Sequence, residues 1–163
     1  RKKATEFLRR AAYYITDNSD LHLGVALNYC FQLEWNNALM SARRAVLLKP
    51  DDANARYWLG WIYFHGVQDD AAAMSHLQEA LRLKPADEDA LHELAVVSVF
   101  RGQYANAVTL LQRVIRLKPN YAELYWFLGI TYLKTDNRTQ AQQVYRTLQR
   151  LDKEIAAEFA ARM

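Results

Sequence analysis

The sequence contains few of the residues that break secondary structure or cross-link a chain. Its 163 residues include 5 glycines, 3 prolines and a single cysteine, Cys30. So few glycines and prolines argue against a loop-rich or all-β protein, and one cysteine cannot form an internal disulfide, so stability must come from packing. The longest apolar run, from Tyr57 to Phe64, has 8 residues, far fewer than the roughly 18 of a membrane span. We therefore expect no direct insertion into a membrane.

Most of the chain also carries no net positive charge. The 21 Lys and Arg exceed the 18 Asp and Glu by three, but the first ten residues alone contribute +4, so residues 11 to 163 carry −1. A nucleic-acid-binding protein needs a basic surface over its body to neutralise phosphates. The net charge of residues 11 to 163 therefore argues against a nucleic-acid partner. With 52% hydrophobic and 24% charged residues, the composition is that of a folded globular protein.

A repeat of 34 or 35 residues runs through the sequence. Leu-Lys-Pro occurs three times, with its prolines at positions 50, 85 and 119. An alanine stands twelve residues before each proline, and a fourth follows at the same spacing (Ala38, Ala73, Ala107 and Ala141). A second column of small residues precedes the alanines (Ala26, Gly60, Ala95 and Gly129). The step between the two columns is 12 residues in three repeats and 13 in the second, which places an extra residue between His65 and Asp70, in a turn.

The two small-residue columns indicate pairs of helices that cross closely. Small residues on a first helix that face alanines on a second allow the two backbones to approach, while branched and aromatic residues fill the surrounding space. The Lys-Pro pair ends each second helix, because proline cannot continue it. Acidic or Asn residues then begin the next first helix. The sequence therefore predicts an all-α fold.

These columns resemble the tetratricopeptide repeat family. The fourth repeat shows it best, with Tyr125-x-x-Leu128-Gly129-x-x-Tyr132 followed by Ala141. The resemblance implies a right-handed superhelix, or solenoid, of helix-turn-helix repeats in a single domain over residues 1–163. The expected segments are an N-terminal helix at 1–18, repeats at 19–52, 53–86, 87–121 and 122–153, and a C-terminal capping helix at 154–163. Ala4, Leu8 and Ala11 match a second helix, so the N-terminal helix is interpreted as a cap or half repeat.

The first helices carry a second apolar stripe beyond their core columns. In this family the first helices line the concave face of the solenoid. The stripe consists of Leu23, Leu27, Phe31, Tyr57, Trp61, Phe64, His92, Val96, Phe100, Trp126, Ile130 and Leu133. A helix that is apolar nearly all round is either buried on both sides or presents a contact surface, and aromatic residues dominate binding hot spots. We predict a concave groove that binds a peptide or helix of another protein, with Glu93 contacting a basic residue of that partner.

Several other functions are disfavoured. The slots that hold a carboxylate clamp in one subfamily are occupied here by apolar and acidic residues (Leu23, Leu27, Trp58, Asp89 and Glu93). Bases and aromatics lie on opposite helices, unlike an RNA-binding surface. The four histidines lack a metal-ligand spacing and Cys30 has no thiol partner. With no phosphate-binding loop or catalytic set either, we expect no metal, no cofactor and no enzymatic activity.

Three alternatives to peptide capture stay open. The groove could be filled by a terminal helix or by a second copy, which would make the chain a homo-oligomeric assembly module. The chain could be the docking domain of a larger enzyme, or it could resemble the secretion chaperones that share this architecture. The absence of disulfides is consistent with a cytoplasmic protein and also with a periplasmic one.

Overall fold

The computed structural model describes residues 17 to 163 together with Glu6, and this part of the chain is helical without strands. The α-helices are α1 (Ser19–Phe31), α2 (Trp35–Leu48), α3 (Ala53–Ile62), α4 (Asp70–Leu83), α5 (Glu88–Phe100), α6 (Tyr104–Leu117), α7 (Ala122–Lys134), α8 (Arg138–Leu151) and α9 (Lys153–Ala160). The predicted all-α fold is confirmed. The helix predicted over residues 1–18, with Ala4, Leu8 and Ala11, lies outside the described residues apart from Glu6, Asp17 and Asn18.

The helices form two compact units, residues 1–87 and residues 88–163. In unit 1, α1 packs on α2, α2 on α3, and α3 on α4. In unit 2, α5 packs on α6, α6 on α7 and α7 on α8, while α9 packs on both α7 and α8. Each predicted repeat contains one of the antiparallel helix pairs that a short turn favours.

Side-chain caps begin many of these helices. The Asn18 side chain accepts a hydrogen bond from the backbone N–H of Leu21 at 2.9 Å. Asp52, Asp69 and Asp152 cap α3, α4 and α9 in the same way. These carboxylates satisfy backbone N–H groups that have no partner within the helix. Of these caps, Asp52 and Asp152 follow a second helix, and Asp69 lies in the turn before one.

The close helix crossings lie at the two small-residue columns. All eight of their residues are buried. At Gly60 in α3, an added Cβ would lie 2.8 Å from Leu77 Cγ and 3.1 Å from the carbonyl oxygen of Ala73 in α4. A larger residue at Gly60 would therefore separate the two helices.

The extra residue of the second repeat is accommodated in a π-helical turn. In the other three repeats, the turn is closed by a backbone hydrogen bond across five residues, as from Asn137 N to Tyr132 O at 2.8 Å. In the second repeat, residues Tyr63–Val67 form a π-helix, and Asp69 N donates to Tyr63 O at 3.0 Å, across six residues. The helix pair is preserved because the additional residue widens only the turn.

Candidate protein-binding surfaces

An aromatic cluster surrounds Trp61 in unit 1. Its indole ring lies 5.7 Å from the ring of Trp58, 6.2 Å from that of Trp35 and 4.4 Å from that of His65, between centroids. Tyr57 extends the cluster, with its ring 5.1 Å from that of Trp58. The four rings of Trp35, Tyr57, Trp58 and Trp61 are partly buried, and His65 is exposed. Mutual packing holds these rings in place while leaving part of their surface open to solvent.

The position of Trp35 in this cluster depends on Gly66. A Cβ at Gly66 would lie 2.4 Å from Trp35 Cε3, so any larger residue would push the indole away. The π-helical turn thus brings a glycine against the first residue of α2. The role of Trp35 was missed in the sequence because it lies on a second helix, outside the repeating stripe. The sequence did carry one signal for this contact: the extra residue of the second repeat, which lies near Gly66.

A smaller cluster in unit 2 joins His92 of α5 to Trp126 and Phe127 of α7. The centroid of Phe127 lies 5.7 Å from that of His92 and 5.1 Å from that of Trp126. His92 Nε2 and Trp126 Nε1 are both buried without a hydrogen-bond partner. The Arg162 guanidinium carbon lies 5.3 Å from the centre of the Trp126 ring, a cation–π arrangement. The C-terminal segment therefore covers part of Trp126.

Comparison with known families identifies the repeat. Models described as "Tetratricopeptide repeat" match residues 31–88 and 122–155, and one described as "TPR repeat" matches residues 100–136. The chain belongs to the tetratricopeptide repeat family. The family predicted from the two small-residue columns is thereby confirmed.

Curated relatives of this tetratricopeptide repeat chain are much longer than it is. BBSome complex member BBS4 of Xenopus tropicalis is 34% identical over 89 residues, which are 55% of this chain and 17% of the relative. Its homologue in Drosophila melanogaster is 28% identical over 106 residues, 65% of this chain and 22% of the relative. The chain thus spans less than a quarter of either relative.

Solved structures show the same fold. A crystal structure of MamA is 23% identical, has a TM-score of 0.87, and is aligned over 94% of this chain and 90% of its own. The crystal structure of YrrB, described as "a TPR protein with an unusual peptide-binding site", is 19% identical with a TM-score of 0.86, over 99% of this chain and 84% of its own. The predicted all-α tetratricopeptide repeat solenoid is confirmed by this likeness.

In unit 1, the residues of the predicted stripe differ in exposure. Phe31, at the end of α1, is 80% exposed, whereas Leu23 is buried. Leu27, Tyr57, Trp61 and Phe64 are partly buried. Leu23 therefore contributes to the core and offers a partner little surface, while the other five keep surface that a partner could cover.

In unit 2, Phe100 is 70% exposed, and His92, Trp126, Ile130 and Leu133 are partly buried. Glu93 and Val96 are buried. The expectation that Glu93 contacts a partner's basic residue has no support from this placement, because its side chain has little surface to offer. Helical spacing gave the direction of both side chains around α5 but not the depth of their packing.

The chemistry of the remaining polar groups is limited. Among residues 17 to 163, no three His, Cys, Asp or Glu side chains are grouped so that they could hold a metal ion. Burial raises the pKa of the Cys30 thiol to about 11, so the thiol is protonated at neutral pH and is a poor nucleophile. No helix in the described part of the chain is long and apolar enough to cross a membrane.

Proposed function

We propose that this chain is a non-enzymatic protein-interaction module whose unit 1 binds an apolar segment of a partner protein. The binding residues are Tyr57 and Trp61 of α3 and Phe64 of the π-helix that follows it; together we call them the α3 aromatic face. The observation that carries the proposal is that these large rings stay partly exposed instead of entering the core. Rings that are already packed against one another lose little side-chain freedom when a partner binds. Tryptophan and tyrosine in such positions are typical hot spots.

Two apolar residues of α1, the partly buried Leu27 and the exposed Phe31, extend the proposed contact region in unit 1. In unit 2 we assign the same role to His92, Phe100, Trp126, Ile130 and Leu133. A partner that covers Trp126 there must displace the Arg162 guanidinium from its ring. Unit 1 is therefore the better anchor.

The names of similar proteins support an interaction function by analogy. BBS4 is named as a member of the BBSome complex, and YrrB is described as having a peptide-binding site. Neither name identifies the partner of this chain. The chemistry of the α3 aromatic face specifies instead a short segment with two or more apolar side chains, bound as a helix or an extended strand.

A quantitative pull-down with purified chain tests the proposal. Trp61→Ala and Phe31→Ser are compared with wild type and with a control, Met40→Ser. Met40 is an apolar residue of α2 that is 69% exposed, close to the 80% of Phe31. We expect Trp61→Ala to reduce partner recovery about tenfold or more, because hot-spot truncation costs about 2 kcal/mol. Met40→Ser should retain the partner, and circular dichroism should show unchanged helix content in all variants.

Equal recovery by wild type and both aromatic variants would contradict the proposal, as would equal loss with Met40→Ser. If the species lost is a second copy of this chain, detected by sedimentation across a concentration series, the surface serves self-association and not capture of a foreign segment.

A further inference from the structure

A second candidate site lies in unit 1, away from the α3 aromatic face. It is an open pocket of about 360 Å³ between α2, α3 and α4. Its lining, which we call the basic pocket, consists of Arg43, Val46, Leu47, Pro50, Arg56, Leu59, Tyr63 and His76. Val46, Leu59 and Tyr63 are buried and form an apolar floor. At 100° per residue, Arg56 and Leu59 lie roughly 150° around α3 from Tyr57 and Trp61. A ligand here would not touch the α3 aromatic face.

Two guanidinium groups enter this pocket without a carboxylate partner. Arg43 Nε donates to Tyr63 Oη at 2.9 Å, and Arg43 Nη2 also donates to that hydroxyl. Arg56 Nε donates to the carbonyl oxygen of Pro50 at 3.1 Å, and its Nη1 lies 3.5 Å from His76 Nδ1. All of these acceptors are neutral. Each guanidinium carries five N–H donors, so both arginines retain donors for a ligand.

The nearby acid and imidazole do not neutralise these charges. The hydrogen bond from Arg82 lowers the pKa of Glu79, and the charges of Arg82 and Arg56 lower it as well. The Arg82 guanidinium donates to both carboxylate oxygens, at 2.8 and 2.9 Å, so the direct partner of Glu79 is Arg82 and not a pocket arginine. The His76 ring stacks on Tyr63, with centroids 5.4 Å apart. Burial, and then the charges of Arg56 and Arg43, lower the pKa of His76. The imidazole is therefore neutral at pH 7, and the net charge in the basic pocket is positive.

The same architecture recurs in unit 2 without the charges. Two repeats further along, Gln112, Tyr125 and Val144 occupy the positions of Arg43, Arg56 and His76. Gln112 Nε2 donates to Tyr132 Oη at 3.3 Å, as Arg43 does to Tyr63. Tyr125 Oη donates to the carbonyl oxygen of Pro119 at 2.9 Å, as Arg56 does to Pro50. Neutral residues thus make the equivalent bonds, so the fold does not require arginine at these positions.

We propose that the basic pocket binds an oxyanion carried on an apolar group, either a carboxylate or a phosphate monoester. Arginine pairs with such groups through parallel charge-assisted hydrogen bonds. The buried floor of Val46, Leu59 and Tyr63 receives the apolar part of the ligand. His76 lies beside the bound oxyanion. This site is independent of the proposed partner surface on α3.

Titration of the purified chain with small probes, followed by NMR, tests the assignment. The probes are N-acetylleucine as the carboxylate, phenyl phosphate as the phosphate monoester, and N-acetylleucinamide as the uncharged control, all at constant ionic strength. We expect N-acetylleucine or phenyl phosphate to shift the Nε–H signals of Arg43 and Arg56 with a Kd of roughly 1–10 mM, as suits fragments of this size. The bound anion favours the imidazolium, so the pKa of His76 should rise.

The unit 2 residues supply the matched variants. Arg43→Gln, Arg56→Tyr and His76→Val install side chains that this chain already uses in the same setting. We expect Arg43→Gln and Arg56→Tyr each to weaken binding at least fivefold, with unchanged helix content.

Which anionic probe binds decides between a carboxylate and a phosphate source. Equal binding of N-acetylleucinamide would overturn the proposal, since it would show apolar contact alone. Failure of both anions to shift the Arg43 and Arg56 signals would also overturn it. So would undiminished binding to the folded Arg43→Gln and Arg56→Tyr variants.

Discussion

Four turn residues, one within each helix pair, adopt positive φ angles. They are Leu33 at 59°, Gln68 at 61°, Gly102 at 70° and Asp136 at 53°. Glycine adopts this left-handed conformation freely, and aspartate tolerates it. Leucine does not, because its Cβ crowds the following carbonyl oxygen at a cost of about 1–2 kcal/mol. The turn of the first repeat therefore stores local strain that the third repeat avoids.

We predict that Leu33→Gly stabilises the protein. Leu33 is 69% exposed, so little buried area is lost, and relief of the strain should raise the free energy of unfolding by about 1 kcal/mol. Urea denaturation followed by circular dichroism measures the change. The matched control is Gly102→Ala, which should lower the free energy by about 1 kcal/mol, because its Cβ would meet only Tyr104 Cζ at 4.0 Å and the cost is conformational. Destabilisation by Leu33→Gly would contradict this account.

At the scale of single residues, the sequence predicted that the small residues lie at helix crossings, but not which residues of the predicted groove are exposed. The burial of the alanine column follows from its spacing, since only a small residue fits a helix crossing. Leu23, Glu93 and Val96 share the helical direction of exposed neighbours and are nevertheless buried. Their burial depends on packing that helical periodicity does not describe.

At the scale of secondary-structure elements, the C-terminal helix α9 docks through a single large ring. Phe159 is fully buried and lies against Gly129 of α7. A Cβ at Gly129 would stand 2.5 Å from Phe159 Cζ and 3.1 Å from Val144 Cγ1. The glycine of the repeat column therefore has two uses in the fourth repeat: the crossing with α8 and the seat of α9. The sequence predicted a C-terminal capping helix at 154–163, but not the residues against which that helix packs.

We predict that Gly129→Ala lowers the free energy of unfolding by about 1–3 kcal/mol, the usual cost of overpacking. The matched control is Gly24→Ala in α1, where an added Cβ would meet nothing within 4 Å. That control should raise stability by about 0.5–1 kcal/mol, since alanine is the better helix former. Urea denaturation of the two variants distinguishes them. Adding Phe159→Leu to Gly129→Ala should recover part of the loss, and equal effects of the two glycine variants would refute the proposed seat of α9.

The inserted residue of the second repeat is a further case at this scale. Its position between His65 and Asp70 followed from the sequence, because the step between the two small-residue columns is 13 residues in this repeat and 12 in the others. Its form, the π-helix Tyr63–Val67, did not follow. Gly66 in this turn lies against Trp35, a contact that joins residues 31 positions apart in the sequence.

At the scale of the whole molecule, stability should be a sum of local terms. Repeat proteins are stabilised by each repeat and by its nearest neighbours. Gly66 contacts Trp35 within unit 1, and Gly129 contacts Phe159 and Val144 within unit 2. These two sites share no packed residue.

We therefore predict that Gly66→Ala and Gly129→Ala have additive effects. The free energy lost in the double variant should equal the sum of the single losses within about 0.5 kcal/mol, as for other sites without common partners. Urea denaturation of the four proteins of the cycle measures the coupling. A coupling well above 1 kcal/mol would show that strain passes between the sites, contrary to the expected locality.

The sequence by itself determined the helix pairs, their order and their crossing points, because small residues repeated at a fixed spacing mark where two helix backbones approach closely. It also determined that stability comes from apolar packing, since one cysteine cannot cross-link the chain. Only the tertiary structure decided which stripe residues remain exposed and that Arg43, Arg56 and His76 meet in one pocket. These outcomes depend on contacts between different helices, whereas the repeat pattern describes each helix separately.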